Sequence, residues 1–174
     1  MKTESLKVVL LNKKQLDRLS KNFNLTKVII AVIASAAILS IPTTSQSVSQ
    51  TLTQFITTLA LIIAMILLSA GAAKILGGEN KAENIVNASS ISMALSLALV
   101  SIPAGLITLW LIPLILHTYL FSSLLFSIIP FYNFLIFGWA VEESSRNKNQ
   151  ARKTITAIVS LTLVMLLYIA ISVL

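Results

Sequence analysis

Side chains able to do bond chemistry are few in this chain, and they are far apart. His117 is the sole histidine and there is no cysteine, so a soft metal site would have to combine one imidazole with carboxylates from distant segments. Glu142 and Glu143 are adjacent, and sequence neighbours do not face each other across a bond as an acid and base pair must. No Gly-x-Ser-x-Gly elbow supports a serine nucleophile, and no glycine-rich loop of the phosphate-binding or dinucleotide type occurs. Gly77-Gly78 follows an apolar run without the Gly-Lys-Ser/Thr of a phosphate cradle, and reads as a helix stop. We therefore expect no catalytic, cofactor or metal site and no enzyme. Asn87 and Asn133 are the strongest hydrogen-bonding groups within apolar runs. They suit interhelical bonds or, with His117, the polar lining of a small permease or channel subunit.

The elements that position these groups follow from composition. At 56% hydrophobic and 11% charged over 174 residues, the chain is too oily and too poor in charge for a soluble globular domain. Its apolar residues fall in blocks that suit five helices of about 20 residues crossing a bilayer. The expected spans are about 27–41, 55–76, 85–102, 119–140 and 154–174, preceded by a basic tail over 1–26. A Ser/Thr/Gln-rich, uncharged loop is expected from Pro42 to Gln54, and a polar loop from Glu142 to Lys153. Pro103 is expected to stop or kink the third span, and Pro130 to bend the fourth. The uncharged stretch from Ala104 to Val141 would measure about 57 Å as one helix, nearly twice the hydrocarbon thickness, so it must break. Pro113 and the His117 region mark the expected place. Residues 104–116 then form a re-entrant piece, an interfacial helix or an extension of span three.

The charges test this count. The chain carries 13 Lys and Arg against 6 Asp and Glu, a net +7. Five spans place every Lys and Arg on one side, as the positive-inside rule requires, with a cytoplasmic N-terminus and an external C-terminus. A sixth crossing would put the four cations between Arg146 and Lys153 outside. Leu6, Val9, Leu10, Leu16 and Leu19 leave a loose apolar stripe in the tail among Lys7, Lys13, Lys14, Arg18 and Lys21, which suits an amphipathic helix on an anionic leaflet, the alternative being a mobile polybasic tail. Arg146, Lys148, Arg152 and Lys153 are expected to touch the same headgroups. Nucleic acid is not an expected partner, because no aromatic residue interleaves with the tail cations before Phe23. Ala88, Ser92 and Ser96 recur every four residues along span three, and Ser69 and Ala73 do so in span two. Such small-residue faces let membrane helices approach closely, within one copy or against a membrane-protein partner or second copy. Glu142 and Glu143 are expected as solvated charges at headgroup level.

The whole pattern resembles the Yip1 domain family of small five-span membrane proteins. The resemblance rests on the basic stretch leading into span one, the segment Ala72-Ala73-Lys74-Ile75-Leu76-Gly77-Gly78-Glu79-Asn80-Lys81, a third span closed by Pro103, and the polar loop with Ala151 before a final span. Only Gly77, Gly78 and Pro103 carry over, in a structural role. Eukaryotic members are associated with Rab-type small GTPases and vesicle traffic. They carry a longer N-terminal region and an Asp-Leu-Tyr-Gly-Pro segment that this chain lacks, so the likeness is to compact prokaryotic members. It implies a multi-pass protein of the prokaryotic cell membrane with a non-enzymatic role in membrane organisation or trafficking-type scaffolding.

Overall fold

The computed structural model describes residues 13–21, 23–40, 47–107 and 120–173. Lys7, Pro113 and His117 lie outside the described residues. Within them the chain is all helical, with no strand. A short helix α1 (Lys13–Leu19) precedes α2 (Leu25–Leu39), α3 (Val48–Ile75) and α4 (Ala82–Ser96). A five-residue π turn, Leu97–Ser101, joins α4 to α5 (Ile102–Leu106). Helices α6 (Leu120–Ser145) and α7 (Gln150–Val173) complete the chain. Two helices, Val48–Ile75 and the continuous Ala82–Leu106, are long and apolar enough to cross a membrane.

Local chemistry sets the boundaries. Helix α3 starts seven residues before the expected span, inside what reads as a loop. Ser47 opens it with a capping box: its hydroxyl accepts from the Gln50 N–H, while the Gln50 side chain accepts from the Ser47 N–H. In the first turns the Thr51, Thr53 and Thr57 hydroxyls donate to carbonyls four residues back, so the polar residues cost the helix little. At its other end Gly77, with φ +91°, and Gly78 close a Schellman turn. The Gly78 N–H donates to Ala73 O at 2.9 Å and the Gly77 N–H to Lys74 O at 3.0 Å.

Pro103 does not end the third helix. The π turn before it takes up the register change, proline sits in the first turn of α5 where a missing N–H costs least, and the helix runs on to Leu106. The start of 104–116 thus extends span three. Helix α6 is helical through position 130 and continues over Glu142–Ser145, beyond the expected end at 140. Asn149 caps α7, its Oδ1 accepting from the Ala151 and Arg152 N–H groups. That starts the last helix at Gln150 rather than 154.

Helix α6 packs against α7 and α4, α2 against α4 and α3, and α3 also against α7, while α1 lies on α4 and α6. One core joins Val28, Val32 and Ala36 of α2 to Ile62, Met65, Ile66, Ala70 and Ala73 of α3. Ile85 and Met93 of α4, Phe134, Phe137 and Val141 of α6, and Val164 of α7 complete it. The interior also holds much small polar surface: Ser35, Thr58, Ser69, Asn87, Ser89, Ser90, Ser92, Ser96, Thr156 and Ser160 are all buried. Many of these hydroxyls donate to a carbonyl one turn back, as Ser35 does to Ala31, Ser90 to Val86 and Thr156 to Arg152. This lets those hydroxyls sit in a helix interface.

Candidate functional site

Two surfaces stand out, one apolar and one polar. The apolar one is the outside of the bundle. Twenty large hydrophobic side chains among the described residues are exposed, including Ile30, Ile33, Ile56, Ile63, Leu67, Leu68, Ile158 and Leu166. Covering one such side chain is worth roughly 1.5–3 kcal/mol. Twenty half-covered ones therefore forfeit tens of kcal/mol in water, beyond the roughly 5–15 kcal/mol of a stable domain. Buried serines and threonines beside a Val/Ile/Phe core, with isoleucines and leucines on the outside, thus give the bundle an apolar exterior.

The polar surface gathers at one end. Asn80, in the turn between α3 and α4, ties three segments together. Its Nδ2 donates to Ser144 O at 2.8 Å and to Ser20 O at 3.4 Å, and its backbone N–H donates to Ser145 O at 3.2 Å. Its Oδ1 accepts from the Asn84 Nδ2 and the Lys81 N–H. Asn147, after α6, donates to Leu76 O at 2.7 Å. Asn87 donates to Leu19 O and accepts from the Asn24 N–H, fastening the end of α1 and the start of α2 to α4. Lys74 reaches past the end of α3 to donate to Gly78 O and Asn80 O, so its ammonium meets the carbonyls at the negative pole of that helix.

The three charged segments of the sequence therefore share one end of the bundle. There Lys14, Arg18, Lys21, Lys81, Arg146, Lys148 and Arg152 are exposed. Lys148 pairs with Glu79 at 2.8 Å. The hydrogen bond that Lys148 donates to Glu79 first, and the Glu79 charge second, hold the Lys148 ammonium above the usual lysine range. Two expectations need correction here. Lys153 turns inward, 2.9 Å from Glu143 and 3.7 Å from Glu142, with all three side chains largely covered. The seam between α6 and α7 pairs these charges, so Glu142 and Glu143 are not simply solvated and Lys153 is not a free headgroup contact.

The basic tail is also partly docked. Leu16 of α1 is fully buried in a small cluster with Ala140, packed by Leu19, Leu95 and Trp139. The expected packing residues Ser69, Ala73, Ala88, Ser92 and Ser96 are all fully buried. Asn133 of α6 donates to Ser101 Oγ at 2.6 Å, well away from Asn87. Sequence reasoning missed Gly138, where an added Cβ would lie 3.2 Å from Ala157 O across the α6–α7 contact. It also missed the joining roles of Asn80 and Asn147. The available signal was asparagine placement: eight of the nine asparagines lie in or beside the three charged segments. No family model matches the chain, nor does any curated protein or solved structure.

Proposed function

We propose that this chain is a multi-pass integral membrane protein with five crossing helices, the polar end in the cytoplasm and the C-terminus outside. The observation that carries this reading is the pairing of an exposed Ile/Leu exterior with a single polar end that collects all three charged segments. Lipid acyl chains cover the exterior without the cost worked out above. Alternating helix directions from the shared end give α2, α3, the α4–α5 helix, α6 and α7 as the five crossings. Lys and Arg gathered on one face fit the positive-inside rule. Helix α2, at 15 residues, spans by drawing in its flanks, with Lys27 snorkelling.

In that frame the protein has a non-enzymatic, Yip1-like role: it organises membrane through lipid and protein contacts. The exposed cations at the polar end engage anionic headgroups, each worth about 1 kcal/mol near a charged leaflet. Native mass spectrometry of the protein in nanodiscs containing phosphatidylglycerol tests this. Anionic lipid should stay bound to the wild type and be lost from the triple variant Arg146→Gln, Lys148→Gln, Arg152→Gln. Equal retention of zwitterionic and anionic lipid would refute the headgroup role.

A further inference from the structure

The third helix has an irregular turn at Leu97–Ser101, and it faces an amide whose oxygen is unpaired. Through Leu97–Ser101 the helix is π-wound, so that the Ile102 N–H donates five residues back to the Leu97 carbonyl. The next donor in that register belongs to residue 103, a proline with no N–H. Across the interface Asn133 donates its Nδ2 to Ser101 Oγ at 2.6 Å. Its own Oδ1 is buried without a partner, on a side chain only 9% exposed. One orphaned acceptor oxygen and one hydroxyl thus meet where α6 crosses the π turn, roughly 18 Å of helix from the polar end at Ser145.

We propose that Asn133 and Ser101 form a binding site for one water molecule where α6 meets the π turn. Water supplies what this pair needs: a donor for Asn133 Oδ1 and an acceptor for the Ser101 hydroxyl. Buried waters commonly make about three such bonds to groups that otherwise lack them. A cation is the poorer fit, since the sequence has no Asp or Glu between Asn84 and Val141 and two neutral oxygens do not replace a hydration shell. The bound water pairs the one oxygen of the Asn133 side chain that the protein leaves unmet.

The absence of native cysteine makes the test direct. A thiol reacts as its thiolate, which needs local water, so in bilayers the Ser101→Cys thiol should react with N-ethylmaleimide about tenfold faster than Val100→Cys, its neighbour in the same turn. Adding Asn133→Leu to Ser101→Cys should bring the rate down to that of Val100→Cys. Equal rates for Ser101→Cys and Val100→Cys, or a rate unmoved by Asn133→Leu, would overturn the site. A second measurement needs no cysteine. In wild-type protein labelled with 15N-asparagine, solid-state NMR transfer from water should reach the Asn133 amide, assigned by its loss in Asn133→Leu, as readily as it reaches Asn80. Transfer to Asn80 with none to Asn133 contradicts the proposal. Because Asn80 reports on the polar end alone, failure of the internal site remains distinct from failure of the membrane reading.

Discussion

Replacing Gly78 by alanine is the sharpest probe of how the polar end is built. A Cβ at this position would lie 2.8 Å from Ala73 O and 3.2 Å from Ser145 O, whereas ordinary contact begins at 3.4 Å. Both obstacles are main-chain carbonyls. One belongs to α3 and the other to the end of α6, and neither moves without disturbing a helix. Relief requires a shift of about 0.6 Å in a packed turn, and overpacking of this kind costs ~1–3 kcal/mol. Alanine restricts the unfolded chain and returns ~0.4–1 kcal/mol, leaving a net loss of about 1–2 kcal/mol. For a chain of this size each kcal/mol moves Tm by roughly 2–4 °C, so thermal unfolding in mild detergent should fall by roughly 2–8 °C. Gly71 is the internal control. It lies in α3, with nothing within 4 Å of an added Cβ, so Gly71→Ala gains helix propensity worth ~0.5–1 kcal/mol and raises Tm slightly. A Gly78→Ala variant as stable as wild type, or a Gly71→Ala variant that loses as much as Gly78→Ala, refutes the close approach of α6 to the α3–α4 turn.

Other consequences are as specific. Asn80→Ala removes the bonds to Ser144 and Ser20 and should cost ~1–3 kcal/mol, with faster proteolysis between α1 and α2; unchanged cleavage there would show that Asn80 does not hold that segment. Arg146 adopts φ 53° just past α6, a conformation that costs a side-chain-bearing residue ~1–2 kcal/mol, so Arg146→Gly should raise Tm despite losing a charge. The Lys148–Glu79 pair sets a pH dependence. Its raised lysine pKa means the pair contributes fully below the ordinary lysine range and is lost as pH rises through the raised value. An NMR titration of the Lys148 ammonium should therefore run higher in wild type than in Glu79→Gln, and coincident curves would remove the pair.

The helices were legible because long apolar runs between charged segments have few other solutions, and the Gly77-Gly78 stop was legible because glycine is the residue that takes the left-handed turn. The boundary at Ser47 was not. Polar residues at 47–54 read as loop unless the Ser47/Gln50 capping box is weighed above composition, along with threonines that bond their own helix. At Pro103 the stop, one of the two outcomes expected there, does not occur for a related reason: a π turn upstream absorbs what proline forbids in a regular helix. The asparagine ties of the polar end were hidden because Asn80 and Asn147 bond carbonyls 60 to 71 residues away, and carbonyls carry no sequence signature. Lys153 looked like a headgroup cation because its partner Glu143, ten residues earlier, is reached only once α6 and α7 fold back on each other.

Sidedness is the central claim, and single cysteines test it most directly. Placed at Ser47, Asn80 and Asn149, they sample the start of α3 and the two turns of the polar end. An impermeant maleimide applied to intact cells should label Ser47→Cys alone, with Asn80→Cys and Asn149→Cys reacting only after the membrane is opened. Labelling of Asn149→Cys from outside, or of Asn80→Cys and Ser47→Cys alike, would contradict a five-helix protein with its polar end in the cytoplasm.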